Sequence, residues 1–600
     1  MANTSVRSAV WEHFNVNVAD SSRATCKHCN VSVARGGKTT TTWTTTTLHN
    51  HMKRHHPSIK LENKTAVPAD KPTPSSSSLL DCFDRSRKWS TCDPRAVRYN
   101  RLIAEMIALD DEPFSVVNNT GFQRVINGFE PRYQLPSDTY MRQTAVPELY
   151  ESVKEKVSVA VGHAQVVSLT TDTWTTTLSS ESLMSLTSHW IDDQWERRSA
   201  ILQTSHLPGS HTAANICGKL LQMLSEWKLE NKVHVVLRDN ARNMSKGLDD
   251  AGVRSVGCLA HTLQLCVKAG LDSQRAIEDA VSICRKIATH FSHSTLAKER
   301  MSAIQSTIPG LHAHAIIQDV QTRWNSTYYM VQRMLEQKKA VVSYASEHDL
   351  PATLTKHQWG LLEKMVAILA PFEEITKHIS SAESSLADVI PVVTALQVAL
   401  ERNANDSGVQ TMKSTIVSDM RTRFSAMYDE PLFVVATTVD PRYRVKLFTS
   451  DQQRRAKDLL HEEIQRGRDS AGAVASQSSP PAKRRRCNAD GVHDILDELL
   501  NSEESTSSAA DSNDMEDQVR SYLALPTISR QESPLTWWRE NAKRYPDVAT
   551  VARRFLSAPS TSVPSERLFS SAGLVYTDRR NRLLPERAEM LLFVKHNLNI

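Results

Sequence analysis

The sequence predicts a multidomain α/β protein with a small metal-binding module at its N-terminus, a strand-rich middle and long helical stretches after it. Three observations carry this expectation. The chain has 600 residues, too many for one hydrophobic core. Two cysteines and a cluster of histidines stand within the first 60 residues. Short apolar runs bounded by turn residues follow "HAQVVS", and helical apolar spacing takes over from about 290 to 465. No apolar stretch has the roughly eighteen residues of a membrane span. The start "MANTSVRSAVWEHF" lacks the apolar core of a signal peptide. An intracellular protein with no membrane partner is expected. Nine scattered cysteines with one close pair do not form a disulfide framework.

The first element is the N-terminal module, residues 1–60. The net charge is +5, and this segment alone holds eight Lys or Arg against Glu12 and Asp20, so the other residues are near neutral. A concentrated positive field suits phosphate binding. Within it "CKHC" precedes "LHNHMKRHHP". Two thiolates separated by two residues, then two imidazoles on a short helix, give a tetrahedral Cys2His2 zinc site. Cys26, Cys29 and His51 are three ligands. The fourth is His55, one turn on, or His56, one residue further, and helical geometry alone favours His55.

"AVWEHF", "CKHC" and "LHNHMKRHHP" together resemble the BED-type zinc finger. The resemblance implies His56 as the fourth ligand, because the last His of that pattern directly precedes a Pro. It also makes Trp11 and Phe14 the small core. The Thr-rich stretch around Trp43 departs from the pattern by lengthening the gap between Cys29 and His51. On the finger helix, His49, Asn50, Lys53 and Arg54 are candidates for contact with double-stranded DNA.

Residues 61–94 are Pro/Ser-rich and read as a flexible linker. From 95 to 165, "AVRYNRLIAEMIALDD" and "PELYESVKEKVSVAV" have helical spacing, and "GFQRVINGFEPRYQLPS" between them reads as an irregular connector. The next stretch opens with a strand whose apolar run ends at Asp172 in "SLTTDTWTTT". Two more strands in a meander, a helix over "TAANICGKLLQMLSEWKL" and the strand "KVHVVLRDN" follow, the last ending on Asp239. Strands one and four lying side by side would bring the two acids within reach of one pair of metal ions.

"SLTTDTWTT", "VVLRDNARNM", "GCLAHTLQL", "DVQTRWNSTYYM" and "TSVPSERLFSSAG" resemble, in order, the hAT superfamily of DNA transposases. The match runs over most of residues 96–600. It implies an RNase H-like core whose first part is 166–290, interrupted by a large all-α insertion over 291–465 and completed by C-terminal dimerisation helices in 534–600. It also implies Asp172, Asp239 and Glu566 as catalytic or vestigial catalytic acids that hold Mg2+ or Mn2+. Read without the family, Glu566 is an acid in the first turn of a helix, where the helix dipole favours it. Cys258 and His261 match a Cys-x-x-His element that supports the site, and Trp324 a residue that stacks on a displaced base. By composition alone these read as a core thiol and a core aromatic.

Residues 466–533 read as a disordered linker. Lys483, Arg484, Arg485 and Arg486 form a candidate nuclear import run, and the acidic stretch with Ile495, Leu496, Leu499 and Leu500 a candidate dock for a protein partner. In 534–600, Trp537, Trp538, Phe555, Leu591 and Leu592 are candidates for self-association. The reading reached is a nuclear, zinc-dependent, dimeric DNA-binding regulator derived from a hAT transposase. The alternative is an active transposase. An RNA-processing nuclease on the same core fits the DNA-binding type of finger poorly.

Overall fold

The computed structural model describes residues 8–36, 43–59, 88–175, 182–402, 407–475, 511–575 and 583–600. The chain forms two compact units, the first within 1–87 and the second 88–600.

In the first unit a 3-10 turn over Ala9–His13 leads into a three-stranded antiparallel sheet of β1 (Phe14–Val16), β2 (Arg23–Cys26) and β3 (Ser32–Ala34). Helix α1 (Thr46–His55) buries Leu48 and Met52 against Val10, Phe14, Ala24 and Cys26. So few apolar side chains cannot hold a module of this size unaided. Phe14 is in this core, while Trp11 packs on its edge. The Arg35 guanidinium lies 4.8 Å from the Trp11 ring and 4.5 Å from that of Trp43, which anchors the base of the Thr-rich stretch.

The second unit opens with α2 (Pro94–Leu109), α3 (Thr120–Phe129) and α4 (Val146–His163). Helix α3 corrects the expectation of an irregular connector. Phe122, Val125, Ile126 and Phe129 stand at i, i+3, i+4 and i+7, the spacing of one helical face. That face is left without a buried residue.

The sheet has the order β6-β5-β4-β7-β8. Strands β4 (Val167–Thr175), β5 (Ser182–Ile191) and β6 (Arg197–His206) form the expected antiparallel meander. After α5 (Ala213–Glu226), β7 (Val233–Arg238) pairs parallel to β4, with Leu169 opposite Val236. Helix α6 (Arg242–Asp250) then leads to a fifth strand, β8 (Ser255–Gly257), which its three residues hid from sequence reading. Alternation along β7 sends Val236 into the core shared with α2, α4 and α5, and Val235 and Leu237 into the core shared with the later helices.

From Leu259 the chain is helical. Helices α7 (Leu259–Asp272), α8 (Arg275–His293), α9 (Thr295–Thr307), α10 (Trp324–Glu336), α11 (Lys338–Glu347), α12 (Lys356–Ile379), α13 (Val389–Arg402), α14 (Gln410–Arg423), α15 (Pro431–Val439) and α16 (Ser450–Ala475) follow in order. No helix among the described residues is long and apolar enough to cross a membrane.

The stretch 466–533 is not irregular at its ends. Helix α16 runs on to Ala475, and α17 (Asp511–Ala524) buries Val519 and Tyr522 completely. Lys483 to Arg486 and the Ile495–Leu500 run lie outside the described residues. Four helices end the chain: α18 (Pro534–Asn541), α19 (Pro546–Leu556), α20 (Val563–Val575) and α21 (Pro585–Asn597).

Candidate functional site: a zinc centre and a carboxylate cluster

The zinc centre rests on two structural pieces. The tight turn between β2 and β3 carries Cys26 and Cys29, and α1 carries His51 and leads to His56. Ligand atoms of these four residues all lie within 4.8 Å of one another. Cys26 Sγ is 3.5 Å from His56 Nε2, and Cys29 Sγ is 3.3 Å from His51 Nε2. A tetrahedral ion with the usual Zn–S and Zn–N lengths sets such pairs about 3.6 Å apart, so the donor set fits zinc. Burial, then the neighbouring His55 and His56, hold His51 below the usual imidazole range, which favours its neutral, ligating form. His56 converges and His55 does not because the helix stops at His55. His56 is its C-cap, with φ −138° and ψ 56°, so one-turn spacing no longer governs it. Of the four DNA-contact candidates, Asn50, Lys53 and Arg54 are exposed, whereas His49 is half-buried and hydrogen-bonded to Ser8 Oγ at 3.1 Å.

In the second unit two of the three acids stand on or beside neighbouring strands of the sheet, β4 and β7, and the third on a helix. Asp172 lies within β4, opposite Ser185, not at the strand's exit as its Thr-rich surroundings suggested. Its carboxylate accepts the Thr173 N–H at 2.8 Å. Asp239 follows the last residue of β7, as expected, and accepts the Ala241 N–H at 3.1 Å. Glu566 is in the first turn of α20. Burial, then the charges of Asp239 and Glu566, push the Asp172 carboxyl up to about 7, while the Thr173 N–H opposes the rise. The charges of Asp239 and Glu566 are thus felt at Asp172. Among the described residues, however, only the Cys2His2 group brings three or more such side chains close enough to hold an ion.

Glu566 is delivered by a buried polar segment that sequence reading passed over. Ser557, Ser560, Thr561, Ser562 and Ser565 are at most 2% exposed. Ser557 Oγ meets Ser168 Oγ of β4 at 2.8 Å, and Ser565 Oγ donates to Thr170 Oγ1 at 3.2 Å. Ser560 Oγ meets Ser384 Oγ from the stretch after α12 at 2.6 Å. The Ser562 N–H donates to Cys258 Sγ at 3.3 Å, and the Leu259 N–H to the Ser560 carbonyl at 3.1 Å. The density of serine and threonine in "SAPSTSVPS" was the available signal: buried hydroxyls need partners.

Cys258 thus caps α7 as a buried thiol that ties β8 to the Glu566 segment, and burial raises its pKa. His261, in the first turn of α7, is half-buried. The loop after β7 is tied to the same place. Asn240 Nδ2 donates to Thr262 Oγ1 at 2.9 Å, and a Cβ on Gly257 would stand 2.2 Å from Asn240 Oδ1. Trp324 is 5% exposed at the start of α10, edge-on to Tyr328. Its face is covered by protein in this conformation.

The C-terminal aromatics correct another expectation. Trp538 is fully buried, stacked on Trp195 and Tyr522, with its indole N–H bonded to the Val439 carbonyl at 2.9 Å. Phe555, Leu591 and Leu592 are also buried, and Trp537 is partly so. These side chains fill this chain's own cores because the tail folds back over α15, α4 and β6.

Fold and centre together define a zinc-finger protein joined to an RNase-like α/β unit with a helical part. Residues 8–57 match the BED zinc finger, 170–251 the ZBED1 RNase-like domain, 256–368 the ZBED1 RNase-like helical domain, and 518–598 the hAT family C-terminal dimerisation region. The chain is 31% identical, over 99% of its length, to zinc finger BED domain-containing protein 4 of Homo sapiens, and spans 52% of that relative. It is 25% identical, over 82% of its length, to the putative AC transposase of Zea mays, covering 64% of it. It is also 25% identical, over 75% of its length, to the putative transcriptional regulator tpeD of Talaromyces stipitatus, covering 55% of it. The chain thus combines a BED zinc finger match with a hAT dimerisation-region match, and its relatives are zinc finger BED proteins and hAT transposases, of which it spans about half to two thirds.

Proposed function

We propose that the chain is a nuclear, zinc-dependent DNA-binding protein that self-associates and regulates transcription. The observation that carries this reading is the zinc centre, which fixes α1 with Asn50, Lys53 and Arg54 exposed on a module carrying a surplus of six positive charges. Exposed cations draw the helix to phosphate, and Asn50 is of a type that reads base edges. The match to a hAT dimerisation region supports self-association. The name of the Talaromyces relative supports regulation, and the Lys483–Arg486 run supports nuclear import.

Selection from random duplex DNA by the full chain tests the reading. One motif should be enriched with zinc and lost with chelator or with His56→Ala. Lys53→Ala should weaken binding across sequences and flatten its salt dependence. Enrichment that survives the loss of His56, or no enrichment at all, overturns it.

A second reading, metal-dependent cleavage and joining of DNA strands, is favoured by the charge of Asp239 and Glu566 felt at the buried Asp172 carboxyl. In it the three carboxylates would hold Mg2+ or Mn2+, which would supply charge stabilisation to phosphoryl transfer. Nicking of end DNA that Glu566→Gln abolishes, with DNA affinity kept, is its expected signature. Nicking that persists in Glu566→Gln rejects it.

A further inference from the structure

Beside the zinc centre lies a second pair of imidazoles. His13 closes the 3-10 turn ahead of β1, and His28 stands between the two thiolates in the β2–β3 turn. His13 Nδ1 is 2.9 Å from His28 Nε2 on the exposed side of the module, with ring centroids 5.2 Å apart. Neither residue is among the four donors of the zinc centre.

The separation is informative. Two nitrogens bound in adjacent positions to one ion, each about 2.0–2.1 Å from it, lie roughly 2.9–3.4 Å apart. The 2.9 Å separation of the two nitrogens falls within that range. Without an ion, one ring donates its N–H and the other accepts, so the pair is held in place before any metal arrives.

We propose that His13 and His28 form a second, exchangeable site for a borderline divalent transition-metal ion of the Zn2+, Ni2+ or Cu2+ class, with water completing its coordination. Imidazole donors select such ions over Mg2+ and Ca2+. Two ligands instead of four, and the Lys27 ammonium nearby, bonded to the Glu12 carbonyl at 2.9 Å, place its affinity below that of the zinc centre. The second ion would link the entry turn to the Cys26–Cys29 turn across 15 positions of sequence. It would thereby stabilise a module with very little apolar core.

The test uses the full chain carrying one zinc ion. It is dialysed against rising Ni2+, and bound zinc and nickel are measured by elemental analysis. His13→Gln and His28→Gln should each bind one Ni2+ fewer than the parent chain and keep their zinc. His55→Gln, which changes an exposed histidine outside both sites, should bind as the parent does. Parent stoichiometry in His13→Gln overturns the proposal. His28 is in the Cys26–Cys29 turn, so its variant risks losing zinc. His13→Gln leaves that turn unchanged and decides the matter alone. Loss of zinc from His13→Gln also overturns the proposal, since the pair would then serve only the first centre.

Discussion

At the scale of residues, the chemistry of this protein lies in a few side chains whose roles depend on what buries them. Asp172 is the clearest case, with its carboxyl raised to about 7 by burial and by Asp239 and Glu566. An acid whose folded pKa is raised destabilises the fold as pH climbs from its unfolded value, about 4, towards 7. Above that the cost is constant, and below pH 4 it vanishes. Asp172→Asn should therefore raise the melting temperature at pH 8 by the equivalent of a few kcal/mol, and by little at pH 4. Melts at the two pH values check this, and an equal gain at both would show that charge is not the cause. Glu589, raised to about 7 by burial and accepting from Ser205 Oγ at 3.4 Å, predicts the same sign for Glu589→Gln. At the zinc centre, His56→Ala should abolish zinc retention and the fold of residues 8–59, whereas His55→Ala should not. Zinc analysis with amide spectra of the full chain distinguishes the two.

At the scale of elements, most of the fold could be read from the sequence. The meander, the helix after it and the parallel return strand were legible because apolar alternation and turn residues are local signals. Helix α3 was missed since Gly121 and Gly128 masked a regular apolar stripe. The ends of 466–533 were missed because Val519 and Tyr522 are ordered by partners far away in sequence. Trp538 shows the same limit: a pair of large aromatics looks like an exposed patch until the strands and helices that cover it are in place. Trp538→Ala should cost roughly 3–5 kcal/mol, as for other buried aromatics. Thermal melts with sedimentation check this. A change of oligomeric state at unchanged stability would return Trp538 to the surface.

At the scale of the whole molecule, residues 534–600 complete both large cores and carry Glu566. Deleting them should not leave a clean monomer but a chain that is protease-sensitive and aggregates. A monodisperse, cooperatively melting truncation would reject that, and circular dichroism with sedimentation reads the outcome. The sequence by itself determined the zinc ligands as a set, the motifs that carry Asp172, Asp239 and Glu566, and the α/β architecture, since ligand spacing and apolar period are short-range properties. Only the tertiary structure decided that Asp172 lies within a strand, that the aromatic tail is core, and that a run of serines ties the Glu566 segment to β4. Each depends on contacts between residues distant in sequence, and burial, which sets both pKa and packing, exists only once the chain has closed on itself.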